Sequence, residues 1–202
     1  MPRAIGQIDL AKNEAIIEAA GEILAERGLS ASMSLIARRA GVSKQTIYNH
    51  YGAKTDLIRA IATRRVKALS APLEAADADS RPERALAEYA RLLMGIVTAP
   101  QTFALMRLTV QSAAEMPDLA REVYEAGPRA SRSKLTDFLQ TETDAGRLAI
   151  PHALDAAEQF IGMAIGHRQI RALLGLPAEL ESAGLDRAAQ DVAHRFVRAY
   201  AP

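Results

Sequence analysis

Residues 40–54 read Ala-Gly-Val-Ser-Lys-Gln-Thr-Ile-Tyr-Asn-His-Tyr-Gly-Ala-Lys, and this stretch decides the fold of the chain. Gly41 gives the backbone freedom for a tight turn after a short helix, and Val42 is the apolar side chain that can hold the turn against a core. Ser43 is a favourable N-cap for the next helix. In that helix Ile47 is the one strongly aliphatic residue, and its neighbours carry hydrogen-bond donors or acceptors. The pattern predicts the turn and second helix of a helix-turn-helix, with a polar face suited to a DNA groove.

The flanking segments predict three further helices. From Leu10 onward, apolar residues recur at three- and four-residue steps, and this amphipathic pattern ends at Gly28. After a short Ser-rich connection, a helix of about two turns is expected to bury Ile36. Gly52-Ala53 then breaks the chain before a longer helix that begins near Lys54. The residues before Leu10 show no periodicity, and we expect a loose arm there.

The rest of the chain also predicts helices. Pro72 and the run at 77–82, rich in Asp, Ser and Pro, mark a boundary. Later prolines stand where helices can begin, and we expect helices at about 82–98, 100–114, 117–126, 128–145, 152–175 and 185–200. No stretch alternates between apolar and polar residues in the way that a strand requires. The predicted fold class is therefore all-α.

Composition limits the classes of function that the chain can have. There is no Cys among the 202 residues, which excludes disulfides, thiolate metal sites and cysteine nucleophiles. No run approaches the roughly 18 apolar residues of a membrane span, and the N-terminus lacks a signal peptide, so we expect a cytoplasmic protein without membrane contact. Residues 1–70 hold 11 Lys/Arg against 6 Asp/Glu, whereas residues 71–202 hold 14 against 18. This asymmetry suits an N-terminal part that binds anions, joined to a neutral or acidic C-terminal part. The alternative is that the basic residues form an ordinary solvated surface.

A helical enzyme or metal protein is the alternative from another functional class. The four histidines, His50, His152, His167 and His194, are scattered, and neither His-Glu-x-x-His nor Glu-x-x-His spacing occurs. The chain also lacks a Gly-rich phosphate loop. We therefore expect no enzymatic activity, no metal and no cofactor.

The chain resembles the TetR family of bacterial one-component regulators. The resemblance covers about residues 10–60 and rests on Arg27-Gly28, on residues 36–43 (Ile-Ala-Arg-Arg-Ala-Gly-Val-Ser), on residues 46–51 (Thr-Ile-Tyr-Asn-His-Tyr), and on Lys54 with Leu57 and Ile58. Residues 116–121 and 124–128 are similar to the C-terminal domain of the AefR-like branch. The resemblance implies a homodimeric repressor in the bacterial cytoplasm that binds a palindromic DNA operator and is released by a small-molecule effector, which the sequence does not identify. An activator, or a regulator that responds to a protein partner, stays an alternative.

The resemblance also implies a division of the chain. Residues 1–53 would form an N-terminal three-helix helix-turn-helix DNA-binding domain, and residues 54–78 a connecting helix. Residues 79–202 would form a larger C-terminal helical domain for ligand binding and dimerisation. In one respect the sequence departs from the family, because Ile36 follows Gly28 by eight residues where nine are usual. The phosphate contact that the family makes at the start of the second helix would then come from Ser32 or Ser34.

The predicted DNA contacts divide into two groups. Helix N-termini present unpaired backbone N–H groups to anions, so Ser32, Ser34 and Ser43 are candidates for phosphate contacts, with simple capping as the alternative. The resemblance adds phosphate contacts by Tyr48, His50 and Lys54. The side chains better placed for base edges, by their hydrogen-bonding groups and the Thr methyl, are Lys44, Gln45, Thr46 and Asn49. Tyr51 is expected to pack against the first helix instead.

Two further sites are predicted in the C-terminal part. The last two helices should form a four-helix dimer interface, which we assign to Phe160, Ile161, Gly162, Ile165, Gly166, Leu173, Leu174, Leu185, Val192 and Phe196. The alternative is burial within their own domain. The effector pocket is assigned to apolar residues of the middle helices with a few polar groups among them, namely Tyr89, Leu93, Phe103, Met106, Arg107, Val110, Gln111, Tyr124, Phe138 and Met163. The alternative for these is an ordinary core.

Overall fold

A computed structural model of the chain describes residues 10–75, 81–176 and 182–202. These residues form α1 (Leu10–Arg27), α2 (Met33–Arg39), α3 (Lys44–His50), α4 (Lys54–Ser70), α5 (Pro82–Thr98), α6 (Pro100–Ser112), α7 (Pro117–Tyr124), α8 (Ala130–Asp144), α9 (Ala153–Ile165), α10 (Arg168–Leu173) and α11 (Ser182–Ala199). Across these three ranges there is no β-strand, and the predicted all-α fold is confirmed. No single helix among them is long and apolar enough to cross a membrane, and α5 and α6 would reach that length only as a bent pair.

The chain divides into two compact units. Unit 1 consists of residues 10–64 together with 100–126, and unit 2 consists of residues 65–99 together with 127–202, leaving aside the undescribed segments. Compactness thus groups α6 and α7 with the N-terminal helices. The functional division at residues 53 and 78 stays a prediction, and the boundary signal at 77–80 and the expected N-terminal arm lie outside the described residues.

The core of unit 1 is built from aliphatic side chains. Ile16 and Ile23 of α1, Ile36 of α2, Ile47 of α3 and Leu57 of α4 are at most 1% exposed. Leu105 of α6 and Leu119 and Val123 of α7 belong to the same cluster. Because α2 and α3 have only seven residues each, they depend on this burial, since isolated helices of that length are unstable in water.

The core of unit 2 is partly aromatic. The rings of Tyr89, Phe160, Phe196 and Tyr200 form a continuous series, with neighbouring centroids 6.2, 5.0 and 4.9 Å apart. The Phe160 and Phe196 rings meet edge to face, an arrangement that aromatic quadrupoles favour. The Tyr89 hydroxyl shares a 2.8 Å hydrogen bond with Ser131 Oγ, so the one polar atom of this buried ring has a partner. This series joins α5, α9 and α11 into one core.

A buried ion pair closes the end of α8. Glu142 is completely buried, and its carboxylate accepts hydrogen bonds from Arg147 Nε at 2.7 Å and Nη2 at 2.8 Å. Both oxygens of the carboxylate are therefore satisfied, which a charge removed from water requires. Arg147, in the loop after α8, is thereby held to the last turn of that helix.

The predicted helices agree with the observed ones to within three residues at most ends, and two predictions were wrong. The helix expected over 152–175 is broken at Gly166, which has φ +50° and ends α9. A left-handed residue cannot continue a right-handed helix, so α10 starts afresh at Arg168. A helix was also expected to begin at Pro128, but Pro128 lies inside a π-helical turn, Glu125–Arg129. Proline has no N–H to donate, so it suits a turn in which the α-helical ladder is interrupted.

Candidate nucleic-acid interface

The shortened connection before α2 is a tight 3₁₀ turn. Gly28 has φ +58°, and the turn Gly28–Ser30 follows directly. The Ser30 hydroxyl donates a 2.6 Å hydrogen bond to the Arg27 carbonyl. Ser32 then caps α2, because its Oγ accepts a hydrogen bond from Leu35 N at 3.2 Å. Both Ser32 and Ser34 are exposed, and the phosphate contact from either stays a prediction.

The turn between α2 and α3 has the predicted construction. Gly41 has φ +67°, and Val42 N donates to the Ala37 carbonyl at 3.0 Å while the half-buried Val42 side chain packs against the core of unit 1. Ser43 Oγ accepts a hydrogen bond from Thr46 N at 3.0 Å and shares a 2.7 Å hydrogen bond with Thr46 Oγ1. The turn and cap fix where α3 begins and how it is oriented within the helix-turn-helix.

The two faces of α3 have opposite characters. Ile47 is completely buried and is the only buried residue of the helix. Lys44, Gln45, Tyr48 and Asn49 are exposed, and Thr46 and His50 are half-buried. Four of the six α3 residues that were predicted to contact DNA therefore share one accessible helix surface.

The exposed side chains of α3 contact one another. Gln45 Nε2 donates a hydrogen bond to Asn49 Oδ1 at 2.7 Å. The Lys44 ammonium lies 5.8 Å from the centroid of the Tyr48 ring, within the range of a cation–π contact. Neither contact was predicted from the sequence, although the i,i+4 spacing of each pair on a helix is the signal that could have revealed them.

The start of α4 contains an acidic group that was not predicted to belong to the site. Asp56 Oδ2 accepts a hydrogen bond from Ala53 N at 2.9 Å, and Asp56 Oδ1 lies 3.1 Å from Arg59 Nη1. Arg59 Nη2 also contacts Glu122 Oε1 at 2.7 Å, and this hydrogen bond raises the pKa of Arg59. Lys54, the predicted phosphate ligand, is half-buried at the first position of the same helix.

Tyr51 belongs to the scaffold of the site, as predicted. Its hydroxyl donates a 2.5 Å hydrogen bond to Asn13 Oδ1 of α1. Burial raises the pKa of Tyr51, and the neighbouring Glu14 carboxylate raises it further. The end of α3 is thus fastened to α1, and the phenol remains protonated at neutral pH.

The predicted effector-pocket residues fall in both units. Phe103, Met106, Arg107, Val110, Gln111 and Tyr124 lie in unit 1, and Tyr89, Leu93, Phe138 and Met163 lie in unit 2. Val110 is 63%, Tyr124 47% and Met163 42% exposed, whereas Tyr89 is completely buried with its hydroxyl bonded to Ser131. The Arg107 guanidinium lies 5.6 Å from the Phe103 ring centroid. The assignment of these residues to a pocket stays a prediction.

Unit 2 also contains an open groove of about 480 Å³. It lies between α5 and α11 and is lined by Arg84, Ala87, Glu88, Arg91, Asp186, Ala189 and Gln190. The predicted pocket residues are not among them. In the described ranges, no three His, Asp or Glu side chains are grouped so that they could hold a metal ion.

Three of the predicted dimer-interface residues must be reassigned. Phe160 is 0%, Phe196 2% and Val192 9% exposed within a single chain, because these side chains pack into the aromatic core of unit 2. The prediction that they face a partner was therefore wrong for these three. Ile161, Ile165 and Leu173 are half-buried, and Gly162 and Gly166 are exposed. Leu174, which was also predicted for the interface, is 69% exposed. Exposed apolar side chains that the prediction did not assign to the interface lie on or beside α9 and α10, and they are Leu154, Met163, Ile170 and Leu176.

Two protein families match this chain, one over its N-terminal part and one over its C-terminal part. Residues 84–202 match the family described as AefR-like transcriptional repressor, C-terminal domain, and residues 16–61 match the bacterial regulatory proteins of the tetR family.

Solved structures resemble the chain over almost its whole length. A TetR-family transcriptional regulator from Mesorhizobium loti is 25% identical, with a TM-score of 0.76 over 96% of this chain and 100% of that one. The flavonoid-responsive regulator FrrA is 28% identical, with a TM-score of 0.68 over 95% and 97%. FadR from Bacillus subtilis, in complex with stearoyl-CoA, shares the fold at 19% identity, with a TM-score of 0.67 over 92% and 97%. The chain thus belongs to the TetR family of DNA-binding transcriptional regulators and carries an AefR-like C-terminal domain.

Proposed function

We propose that this regulator is a homodimeric repressor that binds a palindromic operator and is released from it by a small-molecule effector. The proposal rests mainly on the two unlike faces of α3. Its single buried residue, Ile47, fixes the helix to unit 1, and the opposite surface presents four exposed polar or aromatic side chains. A short capped helix with such a surface suits insertion in the major groove.

The phosphate contacts of the proposal come from the ends of the short helices. Ser43 caps α3 through its oxygen, which leaves its hydroxyl hydrogen to be shared between Thr46 and a phosphate. Ser32 has the same role at α2, and Ser34 is exposed at the second position of that helix. Tyr48, His50 and Lys54 supply the remaining contacts. Such contacts fix the position of a protein on the duplex without reading its sequence.

Base contacts are assigned to the residues in and just after the first turn of α3. Lys44 and Gln45 are exposed there, Thr46 carries a methyl group that can touch thymine, and Asn49 lies one turn later. One helix of seven residues contacts few base pairs, so two copies in a symmetric dimer are needed for specificity.

Dimerisation is assigned to the exposed apolar surface of α9 and α10. Leu174 is 69%, Ile170 50% and Leu154 49% exposed. The proposal also keeps five predicted residues of the same segment that are half-buried or exposed, namely Ile161, Gly162, Ile165, Gly166 and Leu173. The outer face of α11 instead carries Asp191 and Arg195, which pair with each other at 2.7 Å. The apolar part of the interface therefore comes from α9 and α10 in this proposal.

The effector is proposed to be a small, largely apolar molecule that acts from the cytoplasm. Flavonoids are the first class to test, because the 28% identical relative is named as a flavonoid-responsive regulator. The predicted pocket residues are apolar except for a few groups such as Arg107 and Gln111, which suits an aromatic molecule with several hydroxyls.

The test has two stages. Genomic fragments bound by the purified full-length chain are selected and sequenced, and candidate effectors are then screened for release of the selected fragment. The proposal expects an enriched palindrome, a stoichiometry of two chains per site, and release by at least one compound. Failure to enrich any sequence would refute operator binding, and enrichment without a two-chain complex would refute the dimer.

A further inference from the structure

Two adjacent arginines at the end of α2 have different surroundings. Arg39 contacts Glu22 Oε2 at 2.6 Å and Glu26 Oε2 at 3.8 Å, so it ties α2 to α1. Arg38 is exposed, and within the described part of the chain its guanidinium makes no hydrogen bond or ion pair. A basic residue in the last turn stabilises a helix through the macrodipole, but both arginines lie in that turn. What distinguishes Arg38 is therefore that its donors are available to a ligand.

Arg38 lies on the face of α2 that points away from the core. Ile36 is completely buried and Ala37 is 2% exposed, and these residues define the inner face. Successive helix residues are about 100° apart, so Arg38 is about 200° from Ile36 and lies on the opposite side. Ser34 is exposed one turn earlier on the same side, because residues four apart are neighbours on a helix. Among the described residues, no group forms a hydrogen bond with the Ser34 hydroxyl either. The outer face of α2 therefore carries a hydroxyl beside a guanidinium.

A phosphodiester of DNA is the ligand that fits this pair. A guanidinium binds phosphate oxygens through two parallel N–H groups, and a hydroxyl adds a further donor. In helix-turn-helix proteins the first helix crosses the phosphate backbone while the second enters the major groove. Here α2 and α3 are these two helices, so the outer face of α2 is expected to meet the backbone.

We propose that Arg38 and Ser34 together bind one phosphate of the DNA backbone on the outer face of α2. This contact rests on the proposed DNA binding, and it adds Arg38 to the phosphate ligands as the partner of Ser34. It fixes the position of the protein on the duplex without reading its sequence. Arg39, although adjacent, belongs to the scaffold and takes no part.

Arg38→Ala and Arg39→Ala form the matched pair for the test. Dissociation constants of the full-length variants are measured by fluorescence anisotropy over a series of KCl concentrations, on the selected operator and on operators with one base pair changed. Arg38→Ala should reduce the slope of log affinity against log salt by about one unit per subunit, and weaken binding to all these duplexes by the same factor. Arg39→Ala should leave the slope unchanged. Arg38→Lys should retain the slope, because the charge remains.

Two further measurements separate a shared phosphate from a structural role. The urea midpoint of Arg38→Ala should equal that of the wild type, because the side chain is exposed and makes no contact within the described residues. A double-mutant cycle combines Ser34→Ala with Arg38→Ala. If both side chains hold one phosphate, the loss of affinity in the double variant should differ from the product of the single losses by about 2-fold or more.

The outcomes distinguish this contact from the function on which it rests. If the chain binds DNA but enriches no operator, operator binding fails, and the salt slope on a random duplex still tests Arg38. If the chain binds no duplex, both fail. An unchanged slope in Arg38→Ala, or an equal reduction in Arg38→Ala and Arg39→Ala, would overturn the phosphate contact. A lower urea midpoint with an unchanged slope would assign Arg38 to the scaffold, and independent losses in the cycle would overturn the shared phosphate.

Discussion

Replacing Ile47 by alanine should destabilise the helix-turn-helix without removing any group that could touch DNA. Ile47 is completely buried and is the only buried residue of α3. The substitution removes three carbon atoms, which at about 0.8 kcal/mol per buried methylene corresponds to about 2.4 kcal/mol. The cavity left behind adds to this, and measured costs for such changes are about 2–5 kcal/mol. This loss is a large fraction of the total free energy of unfolding of a domain, which is about 5–15 kcal/mol.

Tyr48→Ala is the matched comparison, because Tyr48 is the next residue on the same helix and is 44% exposed. It should cost no more than about 1 kcal/mol, mainly through the cation–π contact with Lys44. The assay is urea unfolding followed by circular dichroism at one protein concentration, because the midpoint of a dimer depends on concentration. Operator affinity is measured in parallel, and Tyr48→Ala should weaken it at every operator alike.

The expected contrast is a lower urea midpoint for Ile47→Ala and a nearly unchanged midpoint with weaker DNA binding for Tyr48→Ala. An unchanged midpoint for Ile47→Ala would show that α3 is not held by this side chain. A loss of stability in Tyr48→Ala equal to that of Ile47→Ala would show that the two faces of α3 are not divided between core and groove.

Three further predictions test other parts of the molecule. Lys54→Ala should reduce the slope of log affinity against log salt by about one unit per subunit if Lys54 contacts a phosphate, and an unchanged slope in a filter-binding titration would exclude that contact. Burial raises the pKa of Tyr89 from 10.0 to about 12, with the hydrogen bond to Ser131 opposing the shift in part. The folded state therefore holds the phenol proton more tightly than the unfolded state, and the stability is present below pH 10 and lost as pH rises toward 12. Tyr89→Phe should remove a fall of about 2–3 kcal/mol in the free energy of unfolding over that range, measured by urea unfolding at pH 9 and above, and a fall as large as in the wild type would contradict the assignment. Leu174→Asp should shift the dimer to monomer in sedimentation velocity, because Leu174 is 69% exposed on the proposed interface. The control Leu10→Asp, at the 82% exposed start of α1, should leave the dimer intact. A dimer that survives Leu174→Asp would show that the interface lies elsewhere.

The helices could be predicted because their limits are encoded in single residues. Pro82, Pro100 and Pro117 begin α5, α6 and α7, where a missing N–H costs nothing. Ser43 caps α3 as its position before the polar helix indicated. Gly166 was misjudged because a glycine beside apolar residues suits close helix packing and a helix end equally well. Only its φ of +50° decides between them.

The partners of the apolar faces could not be predicted in the same way. Periodicity indicates that Phe160 and Phe196 lie on the inner sides of their helices, but it does not say whether the same chain or a second chain covers them. The structure answers this for both residues, since the two rings meet edge to face inside unit 2. The outward residues that were not predicted, such as Leu154 and Ile170, could be recognised only after the core had been assigned.

The excess of basic residues in the N-terminal third survives the ion pairs of its scaffold. Arg39 contacts Glu22 at 2.6 Å, Arg64 contacts Glu14 and Glu18 at 2.9 and 2.7 Å, and Arg59 contacts Asp56 and Glu122. The count of 11 Lys/Arg against 6 Asp/Glu in residues 1–70 already includes these carboxylates except Glu122, so most of the positive excess remains for a DNA duplex to meet. On α3 the exposed Lys44 stands beside neutral groups, namely an amide pair, a serine cap and a phenol. Contacts between lysine and phosphate release counterions and depend on salt, whereas contacts of the neutral groups depend on it weakly. Operator affinity is therefore expected to have a salt-dependent part from the cations and a second part that depends on the turn and cap that orient α3.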